Sequence, residues 1–393
     1  MFASTVSLRT LASSRRAVRV ALALALVVSL SLIAVAGATA APVLTGFGAD
    51  ASGVVSPPGG AAAQIPGLAY VTETATSASK VWLASINGSE PKLLGPGGQP
   101  LLAPNGQSVA VALFGATTDS EHGPSLGIYS TRTAPVAVTN YLNLETATAT
   151  PVAWSPDSVY LAVALQSTAV KNIAAGSGLD VIDTQTGAVV PIANGQIYGA
   201  SFAQDGTDRV VFARSRSLSP FAASNLYVSN PNGTGLRRLT ADGRSLNPVW
   251  GPRYIAYDRE RLRPQQAPAY EIWLASLSRP RVRKLTSVPA GPLVSGLVPL
   301  AFSASGSRLL AEFEGEDTSE AWTVRIASGR ARRVTVRGRS AQGAGISSDG
   351  NTLLIDENAF EEAPSKGRVA TIPFAGGRST ILVAHGAEGS WNG

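Results

Sequence analysis

Few residues in this chain could do covalent chemistry. Cysteine is absent and histidine occurs only at His122 and His385. That excludes disulfides, thiolate metal sites and a thiol nucleophile, and leaves too few imidazoles for a multi-histidine centre. Gly123-Pro-Ser125-Leu-Gly127 spells the G-x-S-x-G of a nucleophile elbow, with His122 and Asp119 beside it. An elbow needs a strand that turns sharply into a helix. Here the motif sits in a Gly/Pro/Ser segment between strand-like runs, and adjacent residues do not reach triad geometry. Asn105, Asp157, Asp205 and Asp349 recur in register, each followed by Gly or Ser, which is turn-capping chemistry. Asp349-Gly-Asn351 opens like a calcium loop, but Leu353 at the fifth position offers no oxygen. The sequence therefore predicts no catalytic residue, no metal ligand and no cofactor.

The remaining charged groups suit recognition better. Arg214, Arg216, Arg259, Arg261 and Arg263 fall in segments between strand-like runs, followed later by Glu314, Glu316, Asp317, Glu320, Glu357, Glu361 and Glu362. Opposite charge on neighbouring loops steers a charged partner. Arg214, Arg216, Arg259, Arg261, Arg263, Glu316, Asp317, Glu361 and Glu362 are the candidate partner-binding residues. The same acids, with Glu316 and Glu361 foremost, are the dense supply of carboxylates that a glycan hydrolase or lyase would use. That enzyme is one alternative reading, and a membrane-anchored sensor domain is the other.

The elements that would position these groups repeat. Pro151-Val-Ala-Trp154-Ser155-Pro156-Asp157-Ser158 is followed by VYLAVAL, LDVIDTQTG and AVVPIA, which are short apolar runs bounded by turn residues. That is strand grammar. Equivalent turn anchors begin at Ala103, Ser155, Ala203, Gly251, Ser303 and Ser347 and lead to Trp391, at spacings of 44 to 52 residues. Four strands per such period is the signature of a β-propeller blade. GLAYVTE (67–73), KVWLASI (80–86) and EPKLLGP (90–96) have no inner strand before them, while GAEGSW (386–391) has no strand after it. The expected architecture is all-β: seven four-stranded antiparallel blades, with six as the alternative. The C-terminal inner strand should pair beside Ala69–Thr72 and close the first blade, removing free edges. Trp154, Trp250, Trp273, Trp322, Trp391 and Tyr227 occupy strand positions and should pack between blades.

Trp154-Ser-Pro-Asp and Asn230-Pro-Asn-Gly-Thr-Gly-Leu-Arg-Arg-Leu-Thr240 closely resemble the TolB-like, WD-repeat-like propeller repeat, with weaker copies at Arg281–Thr286 and Ala331–Thr335. The resemblance spans residues 67–393 and implies the fold. For function it implies little, since such propellers serve as scaffolds, binding proteins and accessory domains of enzymes. The α/β domain that precedes the propeller in TolB itself has no counterpart in the pattern.

Alternating strands and loops set two faces. The turn between strands one and two and the hairpin between three and four share a face and are short. The other face carries 115–125, 166–178, 214–224, 259–269, 314–320 and 357–367, which should be long loops. Variable loops on a rigid scaffold are where binding groups collect.

Residues 1–40 read as an export signal or membrane anchor, with arginines, an apolar stretch over 20–36 and an Ala38-Thr-Ala40 cleavage pattern. Ser14-Arg15-Arg16 partly matches the twin-arginine motif. Residues 41–66 read as a flexible linker. The formal charge is +6 on 393 residues. Removing the four arginines of the acid-free leader leaves 28 basic against 26 acidic side chains, net +2, which argues against nucleic acid as a partner. The 40 Gly and 25 Pro exclude coiled coils and helical bundles. The expectation is an exported, monomeric, non-enzymatic module, periplasmic, secreted or membrane-anchored. It would recognise an envelope protein or an anionic polymer, and would touch the membrane only through residues 20–36 if these are retained.

Overall fold

A computed structural model describes residues 67–74, 77–113, 124–132, 138–143, 147–167, 176–217, 223–263, 266–276, 281–289, 295–315, 318–358 and 367–392. The leader and linker expectations, and the predicted loops at 114–123, 168–175, 218–222, 316–317 and 359–366, lie outside the described residues. Gln64–Gly393 form one compact unit. Every named element in it is a β-strand.

In chain order the strands fall into groups of four. The first group is β1 (Gly67–Thr74), β2 (Ser77–Ser85) and β3 (Lys92–Pro96), joined by β28 (Ala387–Trp391). Next come β4 (Gly98–Leu102), β5 (Ser108–Ala112), β6 (Pro124–Ser130) and β7 (Val138–Asn143), then β8 (Ala147–Trp154), β9 (Tyr160–Ser167), β10 (Gly178–Asp183) and β11 (Val189–Asn194). The fourth group is β12 (Gln196–Phe202), β13 (Val210–Ser215), β14 (Ser224–Ser229) and β15 (Arg237–Arg238). The fifth is β16 (Ser245–Trp250), β17 (Ile255–Arg263), β18 (Gln266–Ala275) and β19 (Val282–Thr286). The sixth is β20 (Ser295–Phe302), β21 (Arg308–Glu314), β22 (Ser319–Arg325) and β23 (Ala331–Arg333). The last is β24 (Ser340–Ile346), β25 (Thr352–Asn358), β26 (Arg368–Pro373) and β27 (Thr380–Val383). Neighbours within each group pair antiparallel, and β28 pairs with β1 through Leu68↔Trp391, Ala69↔Ser390 and Val71↔Ala387.

Turn chemistry explains the regularity. Ser158 N donates to Ser155 O at 2.9 Å, and Gly106, Gly306 and Gly350 close the equivalent turns onto Ala103, Ser303 and Ser347 at 2.8 Å. Asp157, Asp205, Asp349 and Asn105 each accept the backbone N–H two residues on. These are Asx turns, as the recurring Asp/Asn-Gly/Ser pairs predict.

Seven apolar clusters stitch consecutive groups together. Trp154, Leu161 and Val163 pack on Ala110 and Leu126, while Ile255, Tyr257 and Trp250 pack on Val211 and Leu226. Leu68 and Tyr70 of the first group pack on Leu354 and Val369 of the last. Inner strands also bond directly: Trp250 N donates to Ser201 Oγ and Leu102 N to Ser390 Oγ, both at 3.1 Å, and Trp154 Nε1 donates to Leu101 O at 2.9 Å.

Two features were not foreseen. Each inner strand breaks register against its neighbour, and Gln99, Gly199, Asn247 and Glu388, three residues before the inner-strand end, have φ of 52°, 96°, 42° and 55°. The repeat thus carries a conserved-in-register bulge that bends the inner strand. Second, Ala269↔Ser295 and Tyr270↔Gly296 pair in parallel, fusing the fifth and sixth groups into one eight-stranded sheet. Gly296, at φ 151°, makes this possible, because a Cβ there would overlap the Tyr270 backbone.

Candidate functional site

The ends of strands two and the starts of strands three define the face that the sequence assigns to long loops. In the predicted loop 259–269, residues 259–263 and 266–269 are instead strand. β17 and β18 stay paired as far as Arg263↔Gln266, so Arg259, Arg261 and Arg263 stand on a ladder. The alternation of charge along Asp258-Arg-Glu-Arg-Leu-Arg263 is a period-two pattern that suits a hairpin leaving the core.

The arginines are held rather than loose. Arg259 Nε lies 2.8 Å from Asp242 Oδ2, with its guanidinium 4.7 Å from the Trp273 ring centre. Arg261 Nε and Lys284 Nζ share Glu271 Oε1 at 3.0 and 2.9 Å. Arg263 Nε donates to Ala267 O at 2.7 Å. Arg214 sits 5.7 Å over Tyr227, and Arg216 is exposed just past β13. Between Arg261 and Arg263, Leu262 is 57% exposed. The result is a strand pair that carries an exposed apolar side chain between two held arginines in sequence. Glu316, Asp317, Glu361 and Glu362, like His122 and Asp119, lie outside the described residues, so only the basic half of the candidate set is placed.

Sequence reasoning missed the buried carboxylates of this same end. Asp258, Glu312 and Asp356 occupy one register position on the second strand of three consecutive groups, and Asp258 and Glu312 are buried. Their work is partly structural. Asp356 Oδ1 accepts Gly389 N at 3.1 Å, Ser319 Oγ donates to Glu312 Oε1 at 2.8 Å, and Glu388 Oε2 accepts Gln99 N at 2.5 Å. Asp356 and Glu388 thereby cap amides at the inner-strand bulges, while Glu312 holds a side-chain hydroxyl of the third strand. Around them burial pushes the Glu260 carboxyl up, with Arg244 opposing, and pushes the Tyr270 hydroxyl up, reinforced by the charges of Glu260, Asp258 and Glu314. The only signal in the sequence is an acid at one position in three repeats, hidden among ordinary charged strand ends.

Other candidates resolve simply. Pro124–Ser130 is strand β6, so the G-x-S-x-G segment runs into a strand and not into a helix. His385 is exposed near the start of β28. Among the described residues no group of three or more His, Asp or Glu is placed to hold a metal, and no helix is long and apolar enough to cross a membrane.

Comparison with known proteins returns the fold. No family model matches the sequence, and no curated protein matches it. Among solved structures, it superposes on prolyl endopeptidases with TM-score 0.59 at 13% identity, covering 81% of this chain and 48% of theirs. It therefore spans about half the length of those enzymes. The β-propeller domain of the Trilobed protease from Pyrococcus furiosus matches with TM-score 0.58 at 11% identity, over 81% of this chain and 95% of that domain. TolB from Acinetobacter baumannii matches with TM-score 0.47 at 15% identity, over 84% and 83%. The chain has a β-propeller fold, and that assignment rests on the first two matches.

Proposed function

We propose that this chain is an exported, seven-bladed β-propeller that works as a binding module at the cell envelope. It would recognise a protein or an anionic polymer through the long-loop face. The blade count is supported by the groups of four strands, by the apolar clusters that link each group to the next and the last to the first, and by the pairing of β28 with β1. Export is supported by the leader of residues 1–40, which a linker over 41–66 would join to the propeller.

The observation that carries the binding reading is the β17–β18 hairpin. Leu262 is exposed between two arginines whose guanidiniums are already oriented by Glu271 and Ala267. An apolar anchor ringed by ordered cations is a recognition element: the ordering cost is met before the partner arrives. Charge around it sets the approach rate and its salt dependence.

The test is affinity capture from the native envelope extract at low and moderate salt, with the wild-type chain and with Arg261→Glu/Arg263→Glu. The expected result is a retained partner that weakens with salt and is lost on charge reversal. A partner held equally by the reversed chain, or turnover of glycan, peptide or ester substrates by the rigorously purified chain, overturns the reading.

A further inference from the structure

A cleft of about 320 Å³ opens at the seam between the sixth and last groups, above the core formed by Leu310, Val334, Leu353 and Ile355. Its walls come from three separate segments. Val336–Arg339 is a tight turn closed by Arg339 N to Val336 O at 3.4 Å, with Gly338 at φ 70°. The turn presents Arg337 and Arg339. Glu357 and Arg368 face each other across the β25–β26 ladder. Arg378 and Ser379 come from the approach to β27. Arg332 fixes one wall to the other by donating to Ala375 O at 2.5 Å.

Four arginines and one carboxylate thus line the cleft, a formal local charge of +3. Among the described residues Arg337, Arg368 and Arg378 form no ion pair. Glu357 lines this cleft, is 1% exposed, and its buried Oε1 accepts no hydrogen bond among the described residues. A buried carboxylate oxygen without a donor is costly and calls for a partner. Guanidinium forks share the terminal oxygens of an anion, and a phosphate has three to share where a carboxylate has two. The volume is at the small end of the range for organic ligands, about 300–1,000 Å³.

We infer that this cleft is a binding site for a phosphate ester of a sugar or polyol, with the arginines on the phosphate and the Glu357 carboxylate accepting a ligand hydroxyl. The site goes beyond the partner-binding reading and uses none of the hairpin residues. The ester could be a free metabolite or the repeat of a phosphate-linked polymer.

Titration calorimetry on the exported chain tests the assignment with glucose 6-phosphate, glucose, inorganic phosphate, galacturonate and a poly(glycerol phosphate). Glucose 6-phosphate should bind and glucose should not. Arg337→Ala/Arg378→Ala, changed at exposed positions that leave the denaturation midpoint in place, should weaken glucose 6-phosphate by about tenfold or more. Glu357→Gln removes the cleft's one negative charge and its charged hydroxyl acceptor, so it should tighten inorganic phosphate and lower the preference for glucose 6-phosphate over it. Binding of the monoester alone points to free metabolites, and polymer binding at equal or better affinity per repeat points to the polymer; both uphold the site. The inference falls if no phosphate binds, if the double variant binds as wild type, if inorganic phosphate matches the sugar ester, or if galacturonate binds more tightly than glucose 6-phosphate. Arg261→Glu/Arg263→Glu should leave these titrations unchanged, so failure here and failure of the hairpin reading are separable.

Discussion

Ser390→Ala isolates the contact between the closing strand and its neighbour. The Ser390 hydroxyl accepts Leu102 N at 3.1 Å, and Leu102 is 4% exposed, so the orphaned N–H cannot turn to water. Leaving one buried amide unsatisfied costs about 1–3 kcal/mol. The chain supplies its own standard. Ser201 Oγ accepts Trp250 N at the same 3.1 Å, Trp250 is also 4% exposed, and this pair joins two inner strands in mid-chain. Ser201→Ala should therefore cost the same. In guanidinium, with a slope of about 5 kcal/mol/M, a loss of 2 kcal/mol moves the midpoint down by ~0.4 M with the slope unchanged. If Ser201→Ala shifts by that amount and Ser390→Ala moves the midpoint by less than ~0.1 M, β28 is not docked as described. If neither variant moves it, assigning this cost to inner-strand amides is wrong.

Gly296→Ala should destabilise by about 2–4 kcal/mol in the same assay, because φ 151° and the Tyr270 backbone both exclude a Cβ; an unchanged midpoint would show that the parallel joint does not form. Burial raises Asp180 to about 6 from 3.8, so the folded chain holds this proton more tightly than the unfolded one and stability falls as pH rises from about 4 to 6. Asp180→Asn should be more stable than wild type at pH 7 by about 1–2 kcal/mol, after allowing for partial exposure, and equal to it near pH 3.5; a constant difference across that range removes the titration as the cause.

The strands were legible because their signals are local. Turn anchors such as Ser155-Pro-Asp-Ser158 carry their own hydrogen bonds, and the distance between anchors fixes the repeat whatever lies between. The 259–269 segment was misread because Arg and Glu in alternation look like a solvated loop until a partner strand is known. Glu357 shows the deeper limit. In sequence it heads an acidic run with Glu361 and Glu362. In the fold it is buried and faces arginines drawn from 337–339, 368 and 378, a set that only the packing of two strand groups brings together. The inner-strand bulges were hidden for a related reason: Gln99, Asn247 and Glu388 are not residues that announce a positive φ.

Completing the first sheet with the last strand also fixes the order of events during folding. Gly67 N donates to Asn392 Oδ1 across 325 residues of chain, and loop closure over that span comes only after the entropy of ordering the intervening groups is met. Until β28 arrives, β1 presents an unpaired edge, the kind that recruits other chains. Nearest-neighbour pairing can complete every other group as it emerges, so the pairing of β28 with β1 should be the slow step and the one most exposed to aggregation.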